Sequence, residues 1–500
     1  MRLGTIQEIE QTATHAKGHA LRVISMENRE DIRSPQNKER QAVGFVWLTW
    51  SAVTSAIGPI VVMLALAHAC TMFAVERFPP PDFTSHELPE TPQPAPPSPL
   101  WETLDTIFLF TALLLATYFA LVKRSRNAIF ILTGISLFWL GFHCQGCVCP
   151  IGAIQDVAQA LCDPTHAVPW SIIVFFTLPL VFALFFGRVF CAAVCPLGAI
   201  QEIAAIRAQK LPGWLEHTLG LFPWIYLGLA VVYAATGTAY VICEYDPFVA
   251  FFRRTGATSM LIFGGALLAI GVFVGRPYCR FICPYGAILG LFSKLARWHV
   301  RIPPTECIRC RLCEDACPYG AIVAPVPPLP RSERARARRR LLFAMALLPV
   351  WVMLGAGLGY SLHPVMAQLD PQVRLARWIH SASIDPNNKF AVDAVTAFRN
   401  TGATEASLYD SAAERLRTFA IAGVGLGLWV GLVFGLKWIQ LATRPSRQEY
   451  LPDPRRCVAC GRCFWYCPEE QVRRGWMSEA EVAQLPRDRM NPSSSLSGGM

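Results

Sequence analysis

The chain alternates between long apolar stretches and shorter polar segments. A helix needs about 20 apolar residues to cross a bilayer, and most of these stretches reach or approach that length. The pattern therefore predicts an all-α polytopic membrane protein with about eight transmembrane helices. The predicted spans are 44–75, 103–122, 128–143, 168–187, 220–242, 258–276, 341–362 and 418–440.

The composition supports the same class of protein. Hydrophobic residues make up 53% of the 500 residues and charged residues only 16%, whereas a soluble globular chain carries about 25% charged residues. A net charge of +10 could indicate a nucleic-acid partner, but most basic residues flank apolar segments, as membrane orientation requires. We expect a protein that contacts membrane lipid and binds no nucleic acid.

Basic residues near the span ends predict the orientation. Six arginines lie in Arg331–Arg340, just before the seventh span, and short loops rich in Lys and Arg stay in the cytoplasm. Counting spans from this loop places both termini in the cytoplasm of a bacterial inner membrane. Residues 144–167 contain no Lys or Arg and are predicted to lie outside. One predicted outer loop, with Arg253 and Arg254, departs from the rule.

The outer loop 363–416 is predicted to contain two short helices. Apolar residues follow helical spacing over Asp393–Asn400, and Gly402 then ends that helix. Thr404 followed by Glu405 is typical of a helix N-terminus. The proline-free run after it is expected to continue into the last span, and this loop is a candidate docking surface.

Two segments carry the same cysteine spacing, Cys-x2-Cys-x2-Cys-x3-Cys-Pro. This is the bacterial [4Fe–4S] arrangement, in which three close thiolates wrap one cluster and the fourth ligates the other cluster. The expected ligands are Cys307, Cys310, Cys313 and Cys467 for one cluster, and Cys457, Cys460, Cys463 and Cys317 for the second. The alternatives are zinc, whose sites use two cysteine pairs instead of a quartet ending in Cys-Pro, and clusters with a purely structural role.

Two predicted spans separate these segments, so both can meet on the cytoplasmic side and form one 2[4Fe–4S] ferredoxin domain. This interpretation divides the chain into six parts. They are a cytoplasmic arm at 1–43, a six-span membrane domain at 44–295, a first ferredoxin half at 296–335, a hairpin of two spans at 341–440, a second ferredoxin half at 445–475 and a flexible tail at 476–500.

A second motif, Cys-Pro-x-Gly-Ala-Ile, occurs three times at predicted span ends. Two copies have a further cysteine four residues earlier, which gives the pairs Cys191 with Cys195 and Cys279 with Cys283. Both pairs are predicted at cytoplasmic ends, where four thiols could hold one more metal or cluster. The alternative is that Cys-Pro-x-Gly only turns the chain from a span into an interfacial helix.

The third copy is predicted on the outer side. There the cysteines could form another metal site and so place redox centres on both faces, although a disulfide or free thiols are the alternatives in an oxidising compartment. The members of this outer group are Cys144, Cys147, Cys149 and Cys243. Cys70 and Cys162 stand alone and are predicted to be packing residues.

Taken together, these segments resemble the membrane-bound 4Fe–4S polyferredoxins of the NosR/NapH type. The resemblance is carried by Gly187–Gly198 (GRVFCAAVCPLG) and Gly275–Gly286 (GRPYCRFICPYG), followed by the two ferredoxin quartets. Gly146–Pro150 and Tyr245–Phe248 also look familial. The resemblance implies a protein that moves electrons between the quinone pool or the cytoplasm and a partner outside.

Other cofactors have weaker support. Thr-Gly-Ala-Thr occurs at Thr255–Thr258 and Thr401–Thr404 and is similar to a covalent FMN attachment motif, but the acidic residue expected shortly before it is missing, so FMN is not expected. No Cys-x-x-Cys-His haem motif is present in the sequence.

The sequence therefore predicts a non-catalytic electron-transfer subunit of an oxidoreductase complex. Candidate partners are other redox subunits, an outer flavoprotein or cytochrome, and quinone. The alternative function is an assembly factor that reduces a metal ion or a disulfide for a respiratory enzyme.

Overall fold

The computed structural model describes residues 99–484, except 147–148, 165, 207–208, 255–256, 304–306, 382–387 and 444–445. The predicted arm at 1–43, the predicted span at 44–75 with Cys70, and residues 485–500 of the predicted tail lie outside the described residues.

Helices make up most of the first part of the described chain. Two of them, α1 and α2, continue directly into π-helical turns at Tyr118–Val122 and Leu137–His143. In chain order the helices are α1 (Pro99–Thr117), α2 (Arg126–Ser136), α3 (Ala153–Cys162), α4 (Trp170–Phe186), α5 (Val189–Ala193), α6 (Pro196–Ala204), α7 (Gly213–Leu219), α8 (Phe222–Ala235), α9 (Val241–Glu244), α10 (Val249–Arg253), α11 (Thr258–Phe273), α12 (Pro277–Phe281) and α13 (Pro284–Phe292).

The second part combines long helices with a small two-stranded sheet. Two 3₁₀ turns, Ser293–Leu295 and Ala367–Leu369, join neighbouring elements. The elements are α14 (Leu312–Ala316), β1 (Ile322–Val323), α15 (Arg331–Ala346), α16 (Leu348–Met366), α17 (Pro371–His380), α18 (Lys389–Asn400), α19 (Glu405–Ala442), β2 (Leu451–Pro452), α20 (Arg462–Tyr466), α21 (Pro468–Arg473) and α22 (Glu479–Ala483).

Within the described residues, four helical stretches are long and apolar enough to cross a membrane. They coincide with the predicted spans 103–122, 220–242, 341–362 and 418–440. The predicted spans 168–187 and 258–276 form the shorter apolar helices α4 and α11, and 128–143 forms α2 with its π-helical turn. The eight-span count stays a prediction. The four long stretches are Pro99–Val122, Gly213–Ala235, Arg331–Leu369 and Glu405–Ala442.

Glycines let α16 and α19 pack backbone to backbone. A Cβ atom at Gly355 would overlap the carbonyl oxygen of Gly427, and one at Gly359 would overlap that of Gly423. Such close approach of two helices is typical of membrane helices, where small residues replace the hydrophobic driving force. With 38 residues, α19 is about 57 Å long at ~1.5 Å per residue, so it extends well beyond a hydrocarbon core of about 30 Å.

The loop between α16 and α19 contains two helices, α17 and α18. Helix α19 begins where the sequence predicted, after Thr404. Gly402 adopts a left-handed φ of 70° after α18, and the Thr404 side chain accepts from the Ser407 amide to cap α19. The apolar pattern did not predict α17, whose N-cap is Asp370 and whose first residue is Pro371. Asp370 accepts from the amides of Gln372 and Val373, and proline at the first helical position is a standard start signal.

The two cysteine quartets are joined by the small sheet. Strand β1 follows the first quartet, β2 precedes the second, and the strands pair antiparallel with Ile322 opposite Pro452 and Val323 opposite Leu451. A further bridge joins Val326 to Arg447. The sheet thus brings together segments that are far apart in the chain.

Candidate metal centres

The first quartet lines a single cavity. Cys307, Cys310 and Cys313 come from the first half and Cys467 from the second, and all four border a space of about 340 Å³. Cys313 and Cys467 are buried, while Cys307 and Cys310 are partly buried. The structure therefore brings together the four cysteines that the motif assigns to one cluster.

The second quartet also combines both halves. Cys463 lies within electrostatic range of Cys457, Cys460 and Cys317, and Cys317 is buried. Each last cysteine directly follows a short helix, because Cys317 is the C-cap of α14 and Cys467 is the C-cap of α20. The helices α14 and α20 pack against each other. The last cysteine of each half therefore lies toward the other half.

The loops between the cysteines share an unusual backbone. Arg309 and Arg311 have positive φ values of 57° and 66°, and the equivalent Ala459 and Gly461 have 52° and 74°. Left-handed backbone is uncommon for residues other than glycine and is concentrated at functional sites. The two loops therefore turn in the same way around their cysteines.

Burial raises the pKa of the Cys313 thiol and of the Cys457 thiol, each to about 12. A metal deprotonates its thiol ligands outright, so bound iron would supply the charge that these buried sulfurs need to ionise. Within the described residues, no three His, Cys, Asp or Glu side chains lie close enough to hold a single metal ion. All-thiol sets around a cavity are the donor chemistry of iron–sulfur clusters.

The four inner membrane-end cysteines also come together. Cys195 lies within electrostatic range of Cys191, Cys279 and Cys283, and three of the four are buried, with Cys279 partly so. Nitrogen donors already approach these sulfurs. The donors are Arg188 Nη2 at 3.6 Å from Cys191 Sγ, Gln201 Nε2 at 3.2 Å from Cys279 Sγ, and the Gly286 amide at 3.3 Å from Cys283 Sγ.

The turn predicted for the Cys-Pro segments is present as well. Cys195 and Cys283 are the N-caps of α6 and α13, and the following prolines occupy the first helical position. Proline suits that position because its missing amide has no helical partner there. Cys195 and Cys283 therefore both begin helices and belong to the four-cysteine group.

Glu202, which the sequence analysis missed, ties this group to the ferredoxin halves. Its carboxylate is 2.8 Å from Arg126, 3.0 Å from Arg276 and 2.8 Å from Arg462, and the Tyr319 hydroxyl donates to it. Burial alone would raise its pKa, but the three arginines hold the pKa of this carboxyl well below its usual range. The sequence signal that could have identified Glu202 is that it is the lone carboxylate in the apolar helix α6.

Two further carboxylates repeat this pattern. Glu216 in α7 binds Arg280 at 2.6 Å and Arg456 at 2.8 Å. Glu470 in α21 binds Arg124 at 3.0 Å, and the Arg124 guanidinium also lies over the Phe464 ring. The second ferredoxin half is therefore held to the membrane helices by charge pairs.

The outer group is less compact. Cys149 and Cys243 line one cavity of about 550 Å³, together with the buried Asp246. Cys144 instead lies against Asp105, with Sγ 3.4 Å from the carboxylate oxygen, and Cys147 lies outside the described residues. No disulfide joins the outer cysteines that the structure describes. Cys162 is exposed at the end of α3, so its predicted packing role is wrong.

Two buried tyrosines connect the inner and outer groups. Tyr278 and Tyr285 each lie within electrostatic range of Cys149 and also of Cys283. Tyr278 packs edge-on against Phe248, and the Tyr285 hydroxyl donates to the Phe176 carbonyl at 2.7 Å. Both tyrosines therefore lie near the inner and the outer cysteine groups.

Comparison with protein families identifies the cysteine segments. Residues 128–163, 168–213 and 256–303 match a 4Fe–4S binding domain model, and 300–323 match a second model with the same description. The first model covers the three Cys-Pro-x-Gly segments, and the second covers the first ferredoxin quartet. The second quartet lies outside both sets of matched residues.

Several characterised and uncharacterised proteins are similar to this chain. Protein NirI of Paracoccus denitrificans is 34% identical over 154 residues, which is 28% of this chain and 22% of NirI. YccM of Escherichia coli, whose name assigns it to electron transport, is 31% identical over 122 residues, or 22% of this chain and 34% of YccM. The uncharacterized protein MJ0750 of Methanocaldococcus jannaschii is 30% identical over 148 residues, or 28% of this chain and 62% of that protein.

The matches span between about a fifth and two thirds of these relatives, and no solved structure matches the chain. The residues matched by the two family models contain the Cys-Pro-x-Gly segments and the first ferredoxin quartet. The comparisons therefore confirm that this chain carries 4Fe–4S binding domains and is related to iron–sulfur electron-transport proteins of the NosR/NapH type.

Proposed function

We propose that this protein is a membrane-bound electron carrier that moves electrons between the cytoplasmic or quinone side and a partner at the outer face of a bacterial inner membrane. It acts as a non-catalytic subunit of a respiratory or redox complex. The observation that carries the proposal is the direct contact between the second ferredoxin half and the four-cysteine group of the membrane helices. Arg188, beside Cys191, donates to the Arg455 carbonyl at 2.8 Å, two residues before Cys457.

In this proposal the two ferredoxin quartets hold one [4Fe–4S] cluster each. The cavity lined by the first quartet and the exchange of last cysteines between the halves both support this assignment. Bound clusters supply one-electron transfer at potentials set by net charge, hydrogen bonding and exposure. The protein chain contributes matched loops, buried sulfurs and a sheet that keeps the two quartets side by side.

The membrane-end cysteines extend the set of centres. Cys191, Cys195, Cys279 and Cys283 are proposed to hold a third iron–sulfur centre, because four thiols and three nitrogen donors already converge there. The outer group is proposed to hold a fourth. Tyr278 and Tyr285 are buried near both groups.

Iron content tests the central assignment. Protein purified anaerobically in detergent should contain about eight iron atoms per chain from the ferredoxin quartets, with more if the membrane-end groups are loaded. Iron near zero, with the protein folded by circular dichroism, would contradict the proposal.

The exchange of ligands between the halves has its own test. Cys317→Ser should weaken the cluster wrapped by Cys457, Cys460 and Cys463, because Cys317 lies with that group. Electron paramagnetic resonance should then show loss of one ferredoxin signal, and Cys467→Ser should remove the other. The matched control is Cys162→Ser, which replaces an exposed cysteine. If both substitutions remove the same signal, the halves do not exchange ligands.

A further inference from the structure

Each of the two repeated membrane-end segments carries an arginine three residues before its first cysteine. Arg188 precedes Cys191, and Arg276 precedes Cys279. Both side chains are buried, with 7% and 1% of their surface exposed. A buried guanidinium is costly unless charged or polar partners surround it, so the partners of these two residues show what the site is built to hold.

Each arginine crosses to the other repeat. Arg276 Nη1 lies 3.2 Å from the position of a Cβ atom at Gly198, and Arg276 also donates to the Cys191 carbonyl. Arg188 Nη2 lies 3.1 Å from the position of a Cβ atom at Gly286. The glycine of each Cys-Pro-x-Gly motif therefore leaves room for the guanidinium of the opposite repeat.

Each arginine also borders the second ferredoxin quartet. Arg188 and Cys457 line one cavity of about 240 Å³. Arg276 lies within electrostatic range of both Cys279 and Cys460, and its Nε binds Glu202, which in turn binds Arg462. The two guanidinium groups thus lie where the four-cysteine group meets the second ferredoxin quartet.

The partners of the two arginines differ in one informative way. Arg276 pairs with the Glu202 carboxylate, whereas Arg188 donates to a backbone carbonyl and to a sulfur. Its buried Nε has no hydrogen-bond partner among the described residues. Arg188 also lies within electrostatic range of Cys191, Cys279 and Cys283. An anionic group at the four cysteines would supply the missing charge and the missing acceptor.

We propose that Arg188 and Arg276 are paired positioning residues for an anionic iron–sulfur centre held by Cys191, Cys195, Cys279 and Cys283, and that they raise its reduction potential. This inference rests on the proposed function, which places a centre at these cysteines. Positive charge and N–H donors stabilise the reduced, more negative form of a cluster, and charge and hydrogen bonding are known to set cluster potentials. The same two residues hold the second ferredoxin quartet against this centre.

The test is a redox titration of the full-length protein in detergent, followed by electron paramagnetic resonance and by iron and sulfide analysis. Cys279→Ser first identifies the signal that belongs to the four-cysteine group. Arg188→Gln should then shift the midpoint potential of that signal to a more negative value. Arg188→Lys and Arg276→Lys keep the charge but lose the fixed fork of donors, so each should give a smaller shift in the same direction.

Arg297→Gln is the matched control, because it removes the same charge from an exposed side chain, and it should leave the potential unchanged. If Arg188→Gln fails to load iron, the two lysine variants decide the outcome. Suppose that Cys279→Ser abolishes the signal. A wild-type potential in Arg188→Gln would then overturn the inference and leave the proposed function intact. Where Arg188→Gln cannot be loaded, a wild-type potential in both lysine variants would do the same. If Cys279→Ser removes neither iron nor any signal, the centre is absent and both proposals fail.

Discussion

At the scale of single residues, Glu202 joins parts of the chain that are far apart in sequence. Arg126 comes from the start of α2, Arg276 precedes α12, and Tyr319 and Arg462 belong to the two ferredoxin halves. The carboxylate is 4% exposed, so water cannot replace it as a partner for the arginines. One carboxylate thus pairs with three guanidinium groups at the junction.

Glu202→Gln should therefore destabilise the protein strongly. Removing one partner of a buried ion pair costs about 3–5 kcal/mol, because the remaining charges stay buried without compensation. Thermal unfolding in detergent should show a lower midpoint, and limited proteolysis should cleave near the ferredoxin halves sooner than in the wild type. The control is Glu333→Gln on the exposed face of α15, which should behave as the wild type. Equal stability of the two variants would show that the junction does not depend on this carboxylate.

At the scale of elements, the close packing of α16 against α19 depends on which glycines face the partner helix. Gly423, Gly427 and Gly431 are buried in that interface, whereas Gly425 has no atom within 4 Å of the position of an added Cβ. Glycine lowers helix propensity by about 1 kcal/mol relative to alanine, so its use at the facing positions reflects the contact and not the helix.

Gly427→Leu should disrupt this helix pair. A leucine side chain at this position would overlap the backbone of Gly355 and Ala356, and overpacking typically costs about 1–3 kcal/mol, more where backbone must move. We expect a lower thermal unfolding midpoint in detergent. Gly425→Leu, on the same helix and two residues earlier, should leave the midpoint at or above the wild-type value. A similar loss in both variants would mean that the effect comes from the helix itself.

At the scale of the whole molecule, the proposed electron carrier requires a defined orientation. The six arginines of Arg331–Arg340 lie on α15, and all six are exposed. The positive-inside rule would hold this end, and with it both ferredoxin halves, in the cytoplasm. Cys149 and Cys243 line a cavity away from those halves and would lie toward the outer face.

A membrane-impermeant thiol reagent can test this orientation in intact cells. After metal removal it should label the outer group, including the exposed Cys243, and spare Cys457–Cys467. A reporter fused after Met500 should behave as cytoplasmic. Permeabilised cells, in which both groups react, provide the control. Labelling of Cys457–Cys467 in intact cells, or an exterior reporter, would reverse the proposed orientation.

The sequence by itself determined the class of the protein and the chemistry of its sites. Long apolar stretches predicted the four helical stretches that, among the described residues, are long and apolar enough to cross a membrane, since a bilayer imposes a minimum length that is visible in any chain. Cysteine spacing predicted the grouping into two quartets, because three thiolates of each set are close in sequence and the bacterial pattern assigns the fourth to the other half. Local signals also predicted the start of α19 at Thr404.

Only the tertiary structure decided how these parts meet. The convergence of Cys191 and Cys195 with Cys279 and Cys283 depends on two helix turns packing together, which no spacing encodes. Glu202 and Arg188 could not be assigned from sequence, because their roles come from partners between about 70 and 270 residues away. Burial turns these ordinary charged residues into the junction of the molecule, since a charge withdrawn from water must find its partners within the fold.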